Sequence, residues 1–242
     1  VQTDAQKTAQ QRAAEQVKKE EQQRTLGVLP AFNVAYNRDA PPISPKQKFA
    51  LAFHTATDPV AFGIAALDAA YSQASDAFGP EFSTQTNSAG KKVTTRFEGY
   101  GQGWAGYGKR VGASYADNFD GTMLGNAVLP VLLKEDPRYF RLGTGTTQHR
   151  ILYAISTTFW CKRDNGTWGP NYANVLGNFA AGGISNIYYP SHDRGASLTF
   201  TRGLTVTLEG TLGGLSNEFL PDLTRKFLHR DISGKRAPTT GP

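Results

Sequence analysis

Over residues 1–25, VQTDAQKTAQQRAAEQVKKEEQQRT, large apolar side chains are nearly absent, and Val1 and Val17 stand alone among Ala, Gln, Lys and Glu. Such a stretch favours helix by propensity but has no stripe to bury. It predicts a polar arm over 1–28, helical or disordered. The next segment carries Pro30, Pro41, Pro42 and Pro45 and reads as a Pro-rich linker over 29–45. A helix is expected to open at Ser44-Pro45, because Ser caps free N–H groups and Pro suits the first helical position. Phe49, Leu51, Phe53 and Ala56 follow, and Asp58-Pro59 repeats the signal, predicting a kink and a second helix to about Phe78. Residues 79–95, GPEFSTQTNSAGKKVTT, read as a polar loop.

Further on, Phe97, Tyr100, Trp104, Tyr107, Val111 and Tyr115 recur at helical spacings of three and four. Beside them runs a bare stripe of Gly101, Ala105, Gly108, Gly112 and Ala116, which predicts a helix whose backbone lets another backbone approach. Each interior Gly costs about 1 kcal/mol of helix relative to Ala, so tertiary packing must compensate. The pattern returns at 171–189, where Ala173, Gly177, Ala181 and Ser185 lie four apart. No Asp, Glu, Lys or Arg occurs from Asn165 through His192, long enough for a bilayer crossing of about 20 residues. Asn171, Asn174, Asn178 and Asn186 argue for a shielded helix instead. Residues 198–212 alternate Thr with apolar positions as a strand would. Leu204, Leu208, Leu212, Leu215 and Phe219 also fit a helix, which is preferred because no turn signal appears before Pro221. The expected fold is all-α, a compact bundle of closely packed Gly/Ala-rich helices, compatible with membrane association. It comprises a flexible N-terminal arm, a helical core over 46–228 and a basic disordered tail over 229–242.

Composition adds export to this picture. The chain of 242 residues holds one Met (Met123) and one Cys (Cys161) and begins at Val1, which suggests a cleaved secretory signal and a location in the bacterial cell envelope. Cys161 is expected to be a small buried hydrophobe. The net charge of +6 points toward anionic partners. The densest basic stretch (Arg225, Lys226, His229, Arg230, Lys235, Arg236) reads as a solvated tail, and nucleic acid is not an expected partner.

Candidate chemistry is sparse. Gly101, Gly103 and Gly106 match G-x-G-x-x-G, and Gly103, Gly108 and Lys109 match the glycine and lysine positions of a phosphate-binding loop. Arg110 stands where Ser or Thr would hold magnesium, and the ring spacing runs through the glycines as though the helix did not stop. Nucleotide or phosphate binding at Gly101–Lys109 is therefore the alternative reading. His54 and Asp58 lie four apart, but Asp58 reads better as a cap. His192-Asp193-Arg194 reads as a polar turn, and Glu135-Asp136-Pro137-Arg138 as a structural corner opening a helix. No nucleophile elbow appears. Asn165-Gly-Thr167 is formally a glycosylation sequon.

The phrases EGYGQGWAGYGKR, LLKEDPRYFRLG, NYANVLGNFAAGGISNIYYP and NEFLPDLTRKFLHR resemble those of an uncharacterised family of exported bacterial proteins rich in small residues. The resemblance spans roughly residues 44–230. It implies export and a helical core, and brings no assigned activity. The expectation is a non-catalytic envelope protein with no catalytic residue, no metal and no cofactor. Its expected partners are membrane lipid or other envelope proteins, in a homo- or hetero-oligomer. A soluble periplasmic binding module is the other alternative.

Overall fold

The computed structural model describes residues 8–25 and 29–228. The basic tail expected over 229–242 lies outside them. Helix α1 (Ala9–Glu20) opens with a reciprocal capping box between Thr8 and Gln11. It is docked, not free: Ala13, Val17 and Glu20 are buried, and Val17 packs with Phe32, Ile43 and Leu51. One valine is enough of a stripe because the linker supplies the rest of the cluster.

The Pro-rich linker is likewise interior. β1 (Arg24–Thr25) pairs antiparallel with β2 (Leu29–Pro30). β3 (Val34–Ala35) runs parallel to β6 (Tyr139–Phe140), which buries Val34, Ala35 and Phe140. Helices α2 (Pro45–Ala56) and α3 (Pro59–Ala74) begin where the Ser-Pro and Asp-Pro pairs place them. Ser44 and Gln47 form a capping box, and the Asp58 carboxylate accepts from the Val60 N–H at 2.9 Å. The two helices are bent by 49° at the break. α3 stops at Ala74, short of Phe78, because the chain reverses through left-handed backbone at Asp76 (φ 52°) and Phe78 (φ 57°).

Residues 79–95 are not a loop. β4 (Glu81–Thr86) and β5 (Lys92–Phe97) form an antiparallel hairpin, with Glu81 opposite Phe97 and Thr86 opposite Lys92. Asn87 closes the turn by accepting from the Ala89 and Lys91 N–H groups. The helical rhythm therefore does not begin at Phe97, which lies in β5. It begins at α4 (Gly103–Met123). A π turn (Leu124–Val128) joins α4 to α5 (Leu129–Leu133). Pro130 lacks an N–H and its ring crowds the carbonyl four residues back, and a widened turn relieves both problems.

Asp136-Pro137 starts no helix. It leads into β6, while Glu135 bridges to Arg163. After α6 (Thr147–Ser156), β7 (Trp160–Lys162) and β8 (Trp168–Pro170) form a short antiparallel ribbon. α7 (Tyr172–Ser185) follows, then α8 (Ala196–Leu228), whose 33 residues run about 50 Å and continue through Pro221. The fold is mostly helical. That fits the expected helical bundle, to which the described residues add four two-stranded sheets.

Helices α3, α6, α7 and α8 bury mostly small and polar residues and expose most of their large apolar ones. α3 buries Ala61, Ala65, Ala69 and Ser72, while Leu67 is 73% and Tyr71 76% exposed. α8 buries Arg202, Glu218 and Thr224, while Phe200, Leu204, Leu208 and Leu212, four apart, are all more than half exposed. On α6 Ala154 is buried and Leu152 exposed; on α7 Gly177, Asn178 and Ser185 are buried and Leu176 and nearby Ile187 exposed. No single described helix is long and apolar enough to cross a membrane, and α2 with α3 passes that test only as a bent pair.

Candidate binding site in the bundle

The buried polar groups collect into hubs. One is centred on Asp117 of α4, which is 2% exposed. Its Oδ1 accepts from the Ser185 hydroxyl at 2.5 Å and the Tyr188 hydroxyl at 2.7 Å. Its Oδ2 accepts from the Tyr189 hydroxyl at 2.7 Å and pairs with the Arg202 guanidinium at 2.6 Å. Four donors from α7, the turn after it and α8 thus converge on one carboxylate. A buried charge is tolerable only when its lone pairs are satisfied in this way. Burial, with Asp117 also contributing, pushes the Tyr188 and Tyr189 hydroxyls well above the ordinary tyrosine range, so they remain donors.

Beside this hub lies a cavity of about 230 Å³. α3 contributes Asp68, Tyr71 and Ser72 to it, α4 contributes Arg110 and Ala113, and α8 contributes Arg202 and Thr205. Phe78, Tyr100 and Tyr189 close it with aromatic surface. Arg110 spends its guanidinium on backbone: Nε and one terminal nitrogen donate to the Ala77 carbonyl at 3.2 and 2.7 Å, and the other donates to the Gly101 carbonyl at 2.5 Å. Those bonds fix the turn on which the cavity is built. By contrast, the Arg202 Nε–H and the Ser72 hydroxyl are buried with no hydrogen-bond partner.

Three further hubs serve architecture. Glu218 is fully buried and accepts from the Leu142 and Gly143 N–H groups, the Tyr139 hydroxyl and Arg150 Nε at 2.7 Å. Arg141 and Arg150 both reach Asp222 at 2.7 Å, tying α8 to α6 and β6. Lys48 of α2 donates to the Pro130 and Glu135 carbonyls and pairs with Asp164 at 2.7 Å. In the 135–141 segment Arg138 pairs with Asp136 at 2.7 Å and with Glu20 of α1 at 3.2 Å, all three buried. Burial pushes the Glu20 carboxyl up to about 7 despite Arg138.

The glycine-rich segment splits. Gly101 (φ 77°) and Gly103 (φ 74°) lie in the turn before and at the start of α4 with open space beside them. Gly106 backs onto the Gly101 carbonyl and leaves no room for a Cβ. Lys109 is exposed on the helix. The packing stripe is also displaced: Ala105, Gly108 and Gly112 are exposed, nothing lies within 4 Å of a Cβ at Gly108 or Gly112, and Ala116 is half-buried. The face that α4 buries is Gly106, Arg110, Ala113, Asp117 and Gly121, one residue along. On α7, Ala173, Gly177, Ala181 and Ser185 are all buried.

His54 does not pair with Asp58. Its ring stacks on Phe32 at 4.3 Å, and Asp58 binds Arg24 at 2.7 Å. His192 lies 3.3 Å from Asp193 and 3.9 Å from Glu81, where the β4–β5 hairpin meets the turn after α7. The Cys161 thiol is buried, and burial pushes it up to about 12. Among the described residues no group of three His, Cys, Asp or Glu is placed to hold a metal ion. The cavity residues were not singled out from the sequence. Arg110 stood out only for the Ser or Thr it replaces, and Asp68 with Ser72, Asp117 and Arg202 stand in three segments far apart in sequence.

Comparison with protein families, with curated proteins and with solved structures returned no match. The family resemblance drawn above rests on its four sequence phrases alone.

Proposed function

We propose that the chain is a non-catalytic, membrane-seated helical bundle of the bacterial cell envelope. The observation that carries this reading is the inverted α8. Its outward stripe is Phe200, Leu204, Leu208 and Leu212, while Arg202 and Glu218 face inward. In water such a contiguous apolar surface is costly and mediates association. In hydrocarbon it costs nothing, and helices then hold together through small residues and interior polar contacts. α3, α6 and α7 repeat the pattern. Arg225 and Lys226, exposed in the last turn of α8, suit anionic headgroups at one boundary.

The experiment is fractionation of the source cells, with extraction of envelope membranes by high salt, alkaline carbonate and detergent. The reading expects the protein in the membrane fraction after salt and carbonate, and in solution only with detergent. Recovery in the periplasmic or cytosolic fraction without detergent overturns it, and favours the soluble binding module.

A further inference from the structure

We infer that the cavity between α3, α4 and α8 binds a small zwitterion, a phosphate ester carrying a primary ammonium, with the oxyanion on Arg202 and Ser72 and the ammonium at Asp68. Three observations point this way. The first is the pair of orphan groups. Arg202 is 8% and Ser72 9% exposed, both line the cavity, and the Arg202 Nε–H and the Ser72 hydroxyl have no partner. Buried donors without acceptors are uncommon in folded proteins and each is costly. A phosphoryl group in the cavity offers each an acceptor, and a guanidinium suits it in charge. Arg202 is not free to turn elsewhere, because Asp117 holds its terminal nitrogen at 2.6 Å.

The second is the opposite charge that also lines the cavity. Asp68 lines it on α3 and accepts no hydrogen bond from a described residue. The charged groups facing the cavity or acting on its walls are Arg110 and Arg202 against Asp68, Asp117, Asp76 (3.9 Å from Arg110) and Glu209 beside Arg202, so acids outnumber the arginines. A bare dianion would leave Asp68 repelling it. A zwitterion matches both signs, and the Tyr71, Phe78 and Tyr100 rings give an ammonium aromatic surface to rest on. A cavity of about 230 Å³ has room for such a group and not for a nucleotide.

The third is position. Asp68 and Ser72 are near the end of α3, Arg110 near the start of α4, and Arg202 near the start of α8, so the cavity sits at one end of the bundle, where the polar β4–β5 hairpin is attached. Tyr71 belongs both to the cavity wall and to the exposed apolar face of α3, next to Leu67. A ligand head in the cavity thus has an apolar surface leading away from it for a tail.

The test separates head from tail, and stands apart from the membrane reading because its first arm is water-soluble. The full chain in detergent is titrated calorimetrically with glycerophosphoethanolamine, with inorganic phosphate, and with dihexanoyl phosphatidylethanolamine. Saturable binding of glycerophosphoethanolamine with at least tenfold weaker phosphate binding is expected. A further gain for the dihexanoyl ester identifies a lipid as the source, and equal affinity identifies the free phosphate ester. Asp68→Asn and Ser72→Ala remove no hydrogen bond to a described residue, so both should fold as wild type by circular dichroism. Asp68→Asn should erase the preference over phosphate, and Ser72→Ala should weaken binding three- to tenfold. No saturable binding of either ethanolamine ester, phosphate binding as tight as the esters, or an unchanged preference in Asp68→Asn each overturns the inference.

Discussion

Helices α4 and α7 carry the same small-residue spacing and use it in opposite ways. On α7, a Cβ at Gly177 would sit 2.8 Å from the backbone of Gly125 in the π turn. One at Gly182 would meet the Thr199 carbonyl oxygen and, at 2.9 Å, the Gly203 nitrogen of α8. These are backbone-on-backbone crossings on both sides of one helix, and only glycine fits them. On α4, Gly108 and Gly112 have no neighbour within 4 Å. A glycine stripe in the sequence states that close approach is allowed. It does not state that a helix of the same chain takes up the offer. What distinguishes the two is position: α7 has helical neighbours on two sides, whereas the Gly108 side of α4 looks outward beside Trp104, which is 89% exposed.

The largest effect follows from the closed stripe. Gly177→Leu and Gly182→Leu drive a side chain into backbone that has no rotamer to yield, so the loss should exceed the usual 1–3 kcal/mol of overpacking. Both variants should fail to give a folded protein in detergent, judged by thermal melts and protease resistance. Wild-type melting in either breaks the comparison at its firm end.

Next comes the charge that the interior accepts in place of apolar bulk. Glu218→Ala leaves Arg150, Tyr139 and two backbone N–H groups without their acceptor. Removing one partner from a buried network of this kind costs about 3–5 kcal/mol. Denaturant unfolding should show it, and should show far less for Leu208→Ala on the outer face of the same helix.

The open stripe makes the complementary prediction. Gly108→Ala and Gly112→Ala meet no atom and remove backbone freedom from a helix, so each should stabilise by up to about 1 kcal/mol. A destabilisation by either variant in the monomer contradicts the open face, since nothing lies within 4 Å of a Cβ there. Lys109→Ala should leave stability and nucleotide titrations unchanged, with no measurable ATP binding in either form.

The most local effect belongs to α1. The Glu20 carboxyl is held at about 7 by burial, above its usual 4.5, so between those values the folded state binds more protons than the unfolded one. Stability from this group is full below about 4.5, falls as pH rises, and is lost above about 7. Proteolysis within α1 should therefore quicken from pH 5 to pH 8, and Glu20→Gln should flatten that dependence. A protection profile unchanged by the substitution would assign the pH response elsewhere.

Two helix starts were legible in the sequence because caps act locally: Ser44-Pro45 and Asp58-Pro59 needed no tertiary context. The α7 ridge and the helical form of 198–212 also followed from spacing. The β4–β5 hairpin was missed because FSTQT and KVTTRF alternate among exposed polar residues, leaving no apolar face to announce a strand. The arm and linker were misjudged because Val17, Phe32 and Ile43 bury one another across 26 residues of chain. On α4 the buried face lies one residue from the expected stripe because it is built around two interior charges, Arg110 and Asp117, that the small-residue spacing does not announce. That inversion hid the cavity as well, since its polar lining comes from positions that a soluble helix would turn to water.

The central claim is that the large apolar exterior is a lipid-facing surface, and vesicle flotation tests it most directly. Full-length chain, diluted out of detergent into phosphatidylcholine vesicles, is centrifuged in a density gradient at high salt beside the double variant Leu204→Ser, Leu208→Ser. The account predicts that wild type floats with the vesicles, resists carbonate and leaves only with detergent, while the folded double variant floats measurably less. A wild-type protein that stays monodisperse in the dense, lipid-free fraction contradicts it.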